Sequence, residues 1–126
     1  MLQTRGQRDM ALAARFVTEV VESEAKETAS VYQGLCHSFP VFVLQCGLAQ
    51  AVAFSAAKEG KEKGIARAHQ LLLSHLAQVH GATDASAWIR GVHAATLPEY
   101  LRMTRRTLDA AVYFKRFAEA LIQGEA

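Results

Sequence analysis

Apolar side chains recur at three- and four-residue intervals along most of the chain, and nowhere do they alternate with period 2. That periodicity predicts helices throughout and no strand. Thr4 followed by Gln7 is a capping-box start for a first helix reaching about residue 28, with Leu12, Ala13, Phe16, Val17 and Val20 as its inward stripe. A short helix over 29–37 should stop before Phe39-Pro40, where proline removes an N–H donor. Ser38 then caps a third helix running to about Glu59. Its residues Val41, Val43, Leu44, Leu48, Ala51, Val52 and Phe54 are apolar nearly all round, so it should be the most buried, with Leu44, Leu48, Val52 and Phe54 inaccessible. Gly60 to Gly64 reads as a charged turn. A fourth helix over 65–80 turns Ile65, Ala68, Leu72, Leu76 and Val79 inward and ends at Gly81. Asp84 or Ser86 opens a fifth, which carries Trp88, Ile89 and Val92 and closes near Ala95.

The sixth segment separates its faces most cleanly. Thr96, Pro98 and Glu99 form a capped start, and Gly124 supplies the stop. Met103, Leu108, Ala110, Ala111, Phe114, Phe117, Ala118, Leu121 and Ile122 share one side. Arg102, Arg105, Arg106, Tyr113 and Arg116 share the other, with Asp109 among them. The sum is all-α: a single domain over 1–126, a compact bundle of about six helices with a long C-terminal amphipathic one. Short connections should pack consecutive helices antiparallel.

Composition sharpens this only locally. A chain of 126 residues that is 51% hydrophobic can bury a core, and a net charge of +2 selects no partner. The distribution says more: Arg90 to Arg116 holds six basic and two acidic residues, whereas Glu19 to Glu27 holds four acids and one lysine. Opposite ends of that kind can meet head to tail in neighbouring copies. The N-terminal Met-Leu-Gln-Thr-Arg-Gly-Gln-Arg has no apolar core of a signal peptide, and no window offers a membrane span. The expected location is the cytoplasm.

Candidate chemistry is sparse. Cys36 and Cys46 both sit in apolar stretches outside any CxxC pair and read as reduced core residues. His69 and His80 fall on one helix face but three turns apart, about 16 Å, too far to share a metal. Cys36-His37 are neighbours that point in different directions on a helix. No P-loop, dinucleotide fingerprint or HExxH motif occurs. Catalytic residues, metal ligands and cofactors are therefore expected to be none. On the first helix, Arg15–Glu19 and Glu22–Lys26 are i,i+4 pairs of a solvated face, while Arg5 and Arg8 have only Asp9 nearby. On the sixth, four arginines against one acid match a polyanion, because guanidinium forks hold phosphate oxygens bidentately and Tyr113 adds a stacking surface. The alternative is a solvated face neutralised by Arg105–Asp109 and Asp109–Arg116.

Three blocks, in order, resemble a known family. The first is Gln7-Arg8 with Ala11. The second runs from Phe39-Pro40-Val41-Phe42 through Gln45-Cys46-Gly47-Leu48 to Phe54. The third runs from Tyr100-Leu101-Arg102-Met103 through Arg105-Arg106 to Tyr113-Phe114-Lys115-Arg116-Phe117 and Ala120. Together they are similar to the small helical subunit of the type III-B (Cmr-type) CRISPR effector complex. This chain departs from that pattern at Cys46, where the family often has Asn, and at Tyr113, where it often has Trp. The resemblance implies a non-catalytic structural subunit of an antiviral ribonucleoprotein, whose partners are the backbone subunit, the large subunit and further copies of itself, with no membrane. It further implies phosphate contacts to guide and target RNA, for which Arg102, Arg105, Arg106, Arg116 and Arg8 are the candidates. A protein–protein adaptor without RNA contact is the alternative.

Overall fold

The computed structural model describes residues 3–58 and 62–122. Among the described residues there are six helices: α1 (Arg5–Ser23), α2 (Lys26–Cys46), α3 (Leu48–Ala56), α4 (Lys63–Val79), α5 (Ala85–Ala94) and α6 (Leu97–Leu121). No strand occurs among the described residues. The architecture is the all-α bundle that the periodicity predicts, but its first three helices are divided differently.

The first helix stops at Ser23, not near residue 28, because Glu24 and Ala25 are extended. Both Glu24 carboxylate oxygens are taken by Arg67 of α4, at 3.1 and 2.9 Å. This pair is made across the bundle, where no local pattern announces it. The expected break before Phe39-Pro40 is absent, and α2 carries Pro40 in its interior. An interior proline costs about 3 kcal/mol. Against that, Tyr32, Cys36, Phe39 and Val43 are all buried along one stripe of the continuous helix. The break falls instead at Gly47, whose φ of +87° favours glycine and whose missing Cβ leaves room for the Tyr100 hydroxyl, 3.3 Å from where it would stand.

Moving the break changes which residues are inside. Leu48, Ala51 and Val52 are buried as expected, but Leu44 is 72% exposed and Phe54 47% exposed, and Val41 also faces outward. Split between two helices, the apolar run no longer turns about one axis. Later elements follow the sequence more closely. Gly81, at φ +76°, ends α4, and the Ala82 N–H closes the turn on the Ala77 carbonyl at 2.9 Å. Asp84 caps α5 through the Ala87 N–H at 2.8 Å, and Trp88 and Val92 are buried. Thr96 and Glu99 form the reciprocal capping box of α6. The proposed stop at Gly124, and Gly60 and Lys61 of the charged turn, lie outside the described residues, while Gly64 belongs to the first turn of α4.

Packing is not simply between chain neighbours. α1 lies mainly along α6, with little of it against α2, and α2 sits between α4 and α6. Three histidines are built into this core or its margin, each with a hydroxyl partner: His69 with Ser55 at 3.1 Å, His75 with Tyr32 at 2.7 Å, and His80 with Thr107 at 2.9 Å. Phe16 stacks on the His75 ring at 4.4 Å, and Trp88 on His80 at 5.0 Å. Burial pushes the His75 and His80 imidazoles down to about 4, helped by Arg67 at His75 and Arg106 at His80. Both are neutral in the folded protein at pH 7, whereas the unfolded chain protonates them from about pH 6.5 downward. The folded state therefore binds fewer protons, and stability should fall as pH drops from about 6.5 toward 4. His75 alone should remove about 2 kcal/mol by pH 5. Urea unfolding at pH 7 and pH 5 measures this above the range in which most carboxylates titrate. Equal stability at the two values would refute it.

Candidate nucleic-acid interface

The arginine stripe of α6 forms because residues 102, 105, 109, 113 and 116 recur at helical spacing opposite the buried Ala110, Ala111, Phe114 and Ala118. Arg102, Arg105 and Arg116 are exposed there, and Arg8 is exposed on the neighbouring α1. Arg106 is placed differently. Its guanidinium donates to the Asp9 carboxylate at 2.9 Å, with only 22% of the arginine side chain and 2% of the aspartate side chain exposed. Its Nε is buried and has no hydrogen-bond partner among the described residues. Arg106 thus ties α6 to α1, while the other four carry their charge outward.

Asp109, which the solvated-face alternative pairs with Arg105 and Arg116, is paired with neither. It accepts from Arg5 of α1 at 2.9 Å, both side chains being about half exposed. The α1–α6 seam therefore holds two crossed ion pairs, Arg5–Asp109 and Asp9–Arg106. Either helix read alone shows a base followed by an acid. The pairing becomes legible only once the docking partner is known, which local reading does not supply.

Beside the Arg5–Asp109 pair lies an open groove of about 370 Å³ lined by Arg5, Asp109, Val112, Tyr113 and Arg116, with Gly6 and Asp9 at its α1 side. The helices approach closely at Gly6, where an added Cβ would stand 3.2 Å from the Tyr113 hydroxyl. Arg116 faces this groove and makes no ion pair among the described residues.

The cysteines divide. Cys36 is buried beside Tyr32, and burial pushes its thiol up to about 12, so it carries no thiolate at neutral pH. Cys46 is exposed at the end of α2, not in the core, because the chain turns away at Gly47. The acidic stretch is partly spent internally: Glu24 on Arg67, and Glu19 on Arg15 at 3.8 Å. The expected Glu22–Lys26 pair is not formed, since the helix break separates the two residues.

Fold and surface together define a small all-α protein with a cationic edge along its N- and C-terminal helices. Residues 5–121 match the family described as CRISPR-associated protein (Cas_Cmr5). The chain is 40% identical over 116 residues to the protein named CRISPR system Cmr subunit Cmr5 of Thermus thermophilus, covering 92% of this chain and 96% of that one. The crystal structure of a CRISPR-associated Cmr5 family protein from the same organism matches with a TM-score of 0.83 at 37% identity, covering 96% of this chain and all of that one. This chain belongs to the Cmr5 family.

Proposed function

We propose that this protein is a structural, non-catalytic subunit of a type III-B CRISPR ribonucleoprotein that works in antiviral defence in the cytoplasm. In that assembly it stands beside the backbone subunit, the large subunit and further copies of itself. It lines the channel in which guide and target RNA pair. The observation that carries the RNA reading is the cationic edge. Arg8, Arg102, Arg105 and Arg116 expose their guanidiniums on two adjoining helices, in a chain of the Cmr5 family. Side chains so placed hold phosphates without reading bases, and base pairing supplies specificity.

Arg106 supports this face from beneath: paired with Asp9, it fastens α6 to α1 under the exposed row. The adaptor alternative needs an acidic surface on a neighbouring copy. Two of the four acids from Glu19 to Glu27 are already paired within the chain, which leaves Glu22 and Glu27 for that role. The two readings separate by salt. When an arginine that holds a phosphate is removed, the salt slope of target-RNA binding by the reconstituted complex should fall by about one, whatever the RNA sequence. An adaptor mutant should change assembly and leave that slope intact.

A further inference from the structure

We infer that the α1–α6 groove is a seat for one RNA phosphodiester, and that Asp109 occupies Arg5 until the phosphate displaces it. The inference rests on the RNA reading above and adds a site to it. Two arginines, Arg5 and Arg116, and Tyr113 line one open groove, with the Tyr113 hydroxyl at its Gly6 side. Its volume of about 370 Å³ is large enough for a nucleotide unit. Arginine forks and a phenolic donor match the oxygens of a phosphodiester, and the Tyr113 ring and exposed Val112 offer an apolar wall to the attached nucleoside.

The groove also contains its own competitor. The Asp109 carboxylate holds Arg5 at 2.9 Å, as a phosphate oxygen would. Asp9 brings a second negative charge, but Arg106 neutralises it. Arg5, Arg106 and Arg116 against Asp9 and Asp109 leave one net positive charge. Removing the Asp109 charge leaves two. The Arg5–Asp109 pair is about half exposed on both sides, so it is weak and solvent-screened and can exchange partners at little cost. A phosphate entering here trades one half-exposed ion pair for another and gains Arg116.

The test uses the reconstituted complex carrying Asp109→Asn, Arg5→Gln or Arg116→Gln in this subunit. Target-RNA binding is measured across a salt series and guide retention in parallel. Asp109→Asn should bind about two- to fivefold more tightly at low salt. Its salt slope should rise by about one. Arg5→Gln and Arg116→Gln should each weaken binding and lower the slope. Asp109→Asn and Arg5→Gln break the same bridge, so a merely structural bridge would move both in one direction; opposite signs are the signature of a phosphate seat. A change in guide retention instead of target capture assigns the phosphodiester to the guide strand. Should Asp109→Asn leave both RNAs unaffected or weaken them, the seat is refuted. If reversing Arg102 and Arg105 still weakens RNA binding in that case, only the groove falls; if that reversal is also silent, the RNA reading falls with it.

Discussion

Replacing Asp9 with alanine should destabilise the protein by about 3–5 kcal/mol, because it strands a guanidinium that has little access to water. Asp9 is 1% exposed and is the partner of Arg106, whose Nε is already buried without a hydrogen bond. α1 rests mainly on α6, so loosening this contact loosens the whole first helix. Urea unfolding of the purified variant measures the loss. Replacing both partners, Asp9→Leu with Arg106→Met, should recover much of the stability, since no charge is then left unpaired. A single-variant loss below about 1 kcal/mol would show that water reaches Arg106 freely. The result matters for function too: substitutions at Arg106 break an ion pair that joins α1 to α6, so weaker RNA binding by such variants does not by itself mean that Arg106 touches a phosphate.

Leu48→Ala should cost about 2–5 kcal/mol through lost transfer energy and the cavity left behind. Leu48 is 0% exposed at the first position of α3, directly after the turn at Gly47. Leu44→Ala, four residues earlier, should change stability by no more than about 0.5 kcal/mol, since that side chain points outward. Similar losses at both positions would place them in one buried helix and rule out the break at Gly47.

That pair of residues shows where the fold was legible in the sequence. Caps and glycine stops at Thr4, Gly81, Asp84 and Thr96 are local, and the structure uses each of them. The inward stripes of α1 and α4 follow from spacing alone. Pro40 and Gly47 misled because a local rule met tertiary packing. The stripe of Tyr32, Cys36, Phe39 and Val43 keeps α2 continuous past a proline, while a glycine inside an apolar run makes the turn. At the interface, the exposed row of Arg102, Arg105 and Arg116 was readable from one helix. The commitment of Arg106 to Asp9, and of Asp109 to Arg5, was not, because each pair joins residues about a hundred positions apart.

Whether the cationic edge holds RNA is decided by target-RNA affinity across a salt series, using a reconstituted complex in which this subunit carries Arg102→Glu and Arg105→Glu. Both side chains are exposed and pair with no acid among the described residues, so the subunit should fold and assemble as before. We expect weaker binding for every target sequence alike and a salt slope lower by about two, one for each phosphate no longer neutralised. Unchanged affinity and slope in a normally assembled complex would refute the RNA reading, and failed assembly with intact RNA affinity of the remaining complex would put the adaptor reading in its place.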